Sequence, residues 1–305
     1  MLFIYGKYNH FTEKSLPLRK LISIYKGNNV RSHGMVYGVI SKMDKKTAYV
    51  AKTPDQNGYI HYTDDEHAVW RDLYSQQITG AEKYAAQIYR SGLEQLSIPA
   101  DRIPQCAELS ARLQPKTGWT VAPVPALIGF GRFFTMLSER RFPAASFIRS
   151  REHFDYIKEP DIFHEIFGHT PLLMDPEFAA FSQRIGETGL TVETKDYSWL
   201  IRLYWFTVEF GLTRENGCYK ALGSGLNSSP TELIYSVESP IPERREFNLI
   251  DVLRTPYRID IHQPIYFVIE DFNDVLNAVS GDLLGSIRKA QSLGLFAPTY
   301  EALTA

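Results

Sequence analysis

The chain has 305 residues, 44% of them hydrophobic, which is enough to bury a sizeable core as one large domain or two ordinary ones without metal or disulfide staples. Its 33 basic and 35 acidic residues give a formal charge of -2, so no global attraction to nucleic acid or an anionic membrane is expected, and small molecules are the expected partners. The two cysteines, Cys106 and Cys218, stand in no metal-like spacing, which argues against a disulfide framework and for a reducing cytoplasm.

Residues 1–50 are basic and patternless, with Lys7, Lys14, Arg19, Lys20, Lys26 and Arg31 against few acids. They carry no secretion signal and read as an N-terminal extension, either poorly ordered or a start placed too early, since Met35 or Met43 could open a shorter chain. A basic arm touching a partner is the alternative reading. Residues 51–305 read as one catalytic domain. Asp64, Asp65 and Glu66 supply an acidic first turn, and Val69, Leu73 and Ile78 follow at helical spacing. Similar spacing predicts helices over 81–96, 106–113 and 131–140, with prolines at 99, 104, 115, 123, 125 and 143 as punctuation. The longest apolar stretch, 121–130, holds two prolines and is far shorter than the roughly 20 residues that span a bilayer. Strand signals are few and short, as at 265–269, so the fold expected is mostly helical α+β, without repeats.

The most informative segment is Glu159-Pro160-Asp161-Ile162-Phe163-His164-Glu165-Ile166-Phe167-Gly168-His169-Thr170-Pro171. Its start favours a helix, and Gly168 followed by Pro171 argues that the helix ends or distorts within two turns. Five residues separate the two histidines, about 140° around an ideal α-helix, so they share a face only if the helix breaks, and Gly168 is placed to allow that. The His-Glu-x-x-His spacing of zinc proteases, which needs no distortion, is not present; zinc hydrolysis and two hydrogen-bonded core histidines remain as alternatives.

In Leu203-Tyr204-Trp205-Phe206-Thr207-Val208-Glu209-Phe210-Gly211-Leu212 one carboxylate stands among large apolar side chains. Burying it requires pairing, protonation or a metal, and Arg202 is two turns away. Two histidines and a carboxylate with open coordination positions suit non-haem Fe(II) and oxygen activation, so His164, His169 and Glu209 are the candidate ligands.

The segments 159–169 and 204–212 together resemble the aromatic amino acid hydroxylases. The resemblance continues through Lys220-Ala221, Gly223-Ser224-Gly225-Leu226 and Ser228-Ser229 to Gln263-Pro264, and more faintly back to Tyr59. It implies a helical catalytic domain that uses Fe(II), O2 and a tetrahydropterin. The pterin supplies two electrons and takes one oxygen atom as hydroxyl, while the other goes to the aromatic ring. Arg149 resembles the arginine that holds the substrate carboxylate, and Asp161 the acid that orients it. Trp205, Phe210 and Phe142 resemble the aromatic wall of the substrate pocket, and Ser228 a hydroxyl beside His164. Phe133 resembles the ring that stacks on the pterin and Glu165 the acid that contacts it, with Ile128 in the neighbouring pterin loop 126–132. That loop and Arg141-Phe142-Pro143-Ala144-Ala145 resemble the short bacterial members. The expectation is therefore a cytoplasmic, monomeric phenylalanine 4-monooxygenase without regulatory-domain control; tyrosine and tryptophan hydroxylases share the ligands. A protein that keeps such a pocket without turnover is the remaining alternative.

Overall fold

Thr63 opens the first helix with a reciprocal cap: its hydroxyl accepts from the Glu66 amide, and its own amide donates to the Glu66 carboxylate. The structure, a computed structural model, describes residues 49–125, 128–155, 157 and 159–300. The expected N-terminal extension thus lies outside the described residues apart from 49 and 50, as do Ala126 and Leu127 of the expected pterin loop.

Helix α1, Asp64–Tyr84, buries Val69, Trp70, Leu73, Gln77 and Ala81. The single helix expected over 81–96 is instead split. Residues 81–84 close α1, and α2 spans Gln87–Leu96. Ala85 and Ala86 between them are extended and bond laterally to Ala221, a tertiary contact that overrides alanine's helical preference. Helix α3, Cys106–Thr117, passes through Pro115 and stops where Gly118 takes φ 77°, four residues beyond the expected end at 113.

Strand β1 (Thr120–Val124) and strand β2 (Arg141–Ala145) pair in parallel, joined by α4 (Phe130–Ser138). Neither strand announces itself in the sequence, because each is only five residues long and holds a proline. Helix α5 (Pro176–Thr191), capped by Asp175, packs on α4, and α6 (Tyr197–Tyr204) follows. A second sheet has the order β4-β3-β6-β5, from β3 (Leu212–Glu215), β4 (Cys218–Ala221), β5 (Glu243–Glu246) and β6 (Ile265–Val268). The β3–β4 hairpin turns on Asn216-Gly217, both at positive φ, and β6 is parallel to both β3 and β5. Helices α7 (Ser224–Asn227), α8 (Pro230–Glu238), α9 (Leu249–Arg254), α10 (Phe272–Ser280) and α11 (Leu283–Leu293) complete the described residues. No helix among them is long and apolar enough to cross a membrane.

Two π-helical turns carry the chemistry-bearing motifs: His164–His169, and Trp205–Glu209, which continues directly from α6. Helix α7 packs against both, and this brings the separated motifs to one place in the core.

Candidate active site

The expected break between the histidines is a widening instead. A π turn bonds i to i+5, so residues five apart come into register without interruption. Gly168 serves close packing rather than a break: a Cβ there would lie 2.8 Å from the Ser224 carbonyl oxygen and 3.2 Å from the Ser228 Cβ. The Nε2 atoms of His164 and His169 face one another at 3.1 Å. Glu209 Oε1 lies 3.2 Å from His169 Nε2, and Oε2 lies 3.8 Å from His164 Nε2.

Ser228 sets the tautomer of His164. Its single hydroxyl proton goes to the Ser224 carbonyl at 2.9 Å, so at 2.8 Å from His164 Nδ1 it accepts the ring N–H and leaves Nε2 a lone pair. Burial pushes His164 down to about 4, against the opposing pull of Glu209, so the ring is neutral at pH 7. Burial would raise the Glu209 carboxyl, but the His169 and His164 imidazoles outweigh it and hold it below the usual range. Ser224 Oγ stands 3.2 Å from Glu209 Oε2, while Glu209 Oε1 is buried with no hydrogen-bond partner. Gly223 makes this approach possible, since a Cβ there would sit 2.2 Å from the Glu209 carbonyl oxygen.

Three electron-pair donors thus converge where a buried carboxylate oxygen lacks a proton donor. Ligands in cis positions about 2.1 Å from one ion lie about 3 Å apart, so the spacing and the donor set fit a divalent transition metal. Glu165 is a competing third ligand: its carboxylate also lies within 4.8 Å of both imidazole donors. The shorter distances favour Glu209. Glu165 is moreover pushed up to about 7 by burial, which suits a hydrogen-bonding acid better than an ionised ligand.

Arg149 and Asp161 form a buried two-pronged pair, Nε to Oδ2 at 2.8 Å and Nη2 to Oδ1 at 2.9 Å. Asp161 also accepts from the amides of Arg149 and His164, at 3.0 and 3.1 Å, which ties the pair to the first π turn. Burial alone would raise the Asp161 carboxyl; Arg149 holds it low. With Arg149 Nη1 donating to the Phe154 carbonyl, two of the five guanidinium N–H groups are left for a ligand.

Phe133, on α4, meets Tyr204 edge-on at 5.5 Å, and Tyr204 lies over His169 at 6.5 Å. Ile128 is buried just before α4. Phe142, on β2, packs 5.0 Å from the His169 ring, on the metal-ligand side. Trp205 and Phe210 are adjacent, with centroids 4.1 Å apart. The structure therefore gathers His164, Glu165, His169, Glu209, Ser228 and Phe142 around one centre, with the Arg149–Asp161 pair attached to it by the His164 amide. Sequence reasoning missed Tyr204, Ser224, Tyr257 and Glu232. Tyr257 stacks on Trp205 at 4.6 Å but comes from a loop with no pattern; Ser224 and Glu232 are ordinary polar residues until folding buries them.

Two imidazoles and one carboxylate converging on one centre are the donor set of the non-haem iron oxygenases. The chain belongs to the biopterin-dependent aromatic amino acid hydroxylases, whose family profile matches residues 31–290. It is 47% identical over 255 residues to phenylalanine-4-hydroxylase of Vibrio cholerae, covering 84% of this chain and 88% of that protein. Among solved structures, it is similar to the apo form of the cold-active phenylalanine hydroxylase from Colwellia psychrerythraea, with TM-score 0.80, 45% identity and coverage of 82% and 97% of the two chains. It is also similar to the Chromobacterium violaceum enzyme with bound oxidised Fe(III), with TM-score 0.77, 35% identity and coverage of 83% and 92%.

Proposed function

We propose that this chain is a phenylalanine 4-monooxygenase, converting L-phenylalanine to L-tyrosine with O2, Fe(II) and a tetrahydropterin. The observation that carries the reading is the convergence of His164 Nε2, His169 Nε2 and the Glu209 carboxylate beside a buried arginine fork. Phenylalanine as substrate is supported by the names of the relatives, which are close in sequence and match over most of their length.

His164, His169 and Glu209 would hold the iron; iron and pterin together supply the oxygen activation and the two electrons it needs. Arg149, steadied by Asp161, offers its two remaining N–H groups to the amino acid carboxylate. Trp205, Phe210 and Phe142 wall the pocket, exclude water and orient the substrate ring, while Ser228 keeps His164 in the ligating tautomer. Phe133 stacks on the pterin, Ile128 borders it, and Glu165, whose carboxyl burial pushes up to about 7, hydrogen-bonds it. The same reading takes the protein as a cytoplasmic monomer whose partners are small molecules; sedimentation tests the monomer.

The decisive experiment incubates the purified chain with Fe(II), O2, a reduced pterin and phenylalanine, tyrosine or tryptophan in turn. Tyrosine should form from phenylalanine in step with pterin oxidation, and zinc in place of iron should give none. Faster hydroxylation of tyrosine or tryptophan would move the chain to a sister specificity, and no product from any of the three would overturn the reading.

A further inference from the structure

Gln263 is fully buried, and every polar group of its side chain is engaged. Its Nε2 donates to the carbonyls of Arg258 at 2.7 Å and Ile261 at 3.2 Å, which dictates which way the amide faces. The oxygen is thereby turned to Trp205, whose indole Nε1–H donates to it at 3.1 Å. The Gln263 backbone is itself fixed, because its N–H donates to Glu232 Oε1 at 2.8 Å and that oxygen also accepts from Tyr266 Oη at 2.9 Å. An amide turned the other way would set two donors against the indole N–H, so the network admits one arrangement.

The indole held in this way has two close aromatic neighbours. Tyr257, at the start of the loop whose carbonyls orient Gln263, stacks on it with planes 20° apart, and Phe210 lies at 4.1 Å. Trp205 also opens the π turn that ends in Glu209, a candidate metal ligand. A wall pinned at its edge and pressed on its face has a fixed depth and tilt.

We propose that Gln263 is a positioning residue that sets amino acid selectivity: by anchoring the Trp205 indole it fixes the depth of the pocket and rejects a bicyclic substrate ring in favour of phenylalanine. This inference rests on the reading of Trp205 as pocket wall. Gln263 touches no substrate; it acts through the indole.

The test uses the full chain loaded with Fe(II), with Gln263→Met, Trp205→Phe and the double variant. What is measured is the ratio of kcat/KM for phenylalanine over tryptophan, together with the pterin KM. One neutral hydrogen bond sets the scale, so Gln263→Met should lower the ratio about 10-fold while the pterin KM stays within about 2-fold. In the Trp205→Phe background the same change should alter the ratio less than about 2-fold, because the interaction is already gone. An unchanged ratio, or an equal loss in both backgrounds, overturns the proposal. A shift with Trp205→Phe but none with Gln263→Met sinks this inference alone, whereas no shift with Trp205→Phe sinks the wall reading beneath it. Should Gln263→Met fail to fold, 3-benzothienylalanine at position 205 replaces only the indole N–H by sulfur and keeps the shape. The same roughly 10-fold loss is then expected, and an unchanged ratio is again fatal.

Discussion

His164 and His169 present their Nε2 atoms to each other at 3.1 Å because the backbone between them is wound as a π turn. On an α-helix five residues would set the rings about 140° apart. The carboxylate that completes the cluster ends a second π turn, Trp205–Glu209. Wide turns of this kind are uncommon and gather at functional sites, and here both are held by packing against the same short helix, Ser224–Asn227.

The three donors act as a unit, so His164→Ala, His169→Ala or Glu209→Ala should each reduce the iron content of purified protein to below about a tenth of wild type, and hydroxylation with it. The iron-free protein should remain folded, because its aromatic core does not depend on the metal. Metal analysis and thermal melts check both halves, and normal iron content in any of the three variants removes that residue from the ligand set.

The candidate ligands are legible in the sequence because their surroundings make them anomalous: two histidines at an awkward spacing and one charge in an apolar run. Helical content was legible from the spacing of Val69, Leu73 and their counterparts. The π winding was not, because it arises from tertiary packing and leaves no periodicity. The split at Ala85 was hidden for a similar reason, since the bond to Ala221 joins residues far apart in the chain. Gln263 stood at the end of a resemblance, and nothing local told that it would meet Trp205.

Gly168 is a packing position. A methyl group there would stand 2.8 Å from the Ser224 carbonyl oxygen, a backbone atom that cannot step aside. Gly168→Ala should therefore destabilise by about 1–3 kcal/mol through displacement of the Ser224–Asn227 helix, and weaken iron binding, since Ser228 and Ser224 move with it. An unaltered melting temperature would show that the contact relaxes freely.

Arg149→Lys separates binding from folding better than Arg149→Ala. The alanine variant leaves Asp161 buried without a counter-charge and should cost about 3–5 kcal/mol of stability. Lysine keeps a charge near Asp161 but loses the planar fork and its spare donors. Its KM for phenylalanine should rise by about one to two orders of magnitude, with the pterin KM moving much less. Unchanged phenylalanine kinetics would reassign Arg149 to a purely structural pair.

Glu232 gives the fold a pH dependence through a buried carboxyl that is not one of the candidate metal ligands. Burial pushes its carboxyl up to about 7, only partly offset by the Gln263 amide and the Tyr266 hydroxyl that donate to it; Tyr235 is the other titratable group beside it. Unfolded, the side chain titrates in the usual glutamate range, near 4.3. Between these values the folded protein holds a proton that the unfolded chain has released. The associated stability is fully present below the unfolded value and is lost as pH rises through about 7. Glu232→Gln cannot ionise, and its amide oxygen still accepts from Gln263 and Tyr266. The variant should match wild type near pH 4.5 and exceed it progressively up to about pH 8, by about 3 kcal/mol or roughly 6–12 °C in Tm for a chain of this size. Melting curves across that range check the sign. A difference between the two proteins that does not grow with pH would show that Glu232 is already ionised in the fold, with the Gln263 and Tyr266 donors sufficient to hold its charge.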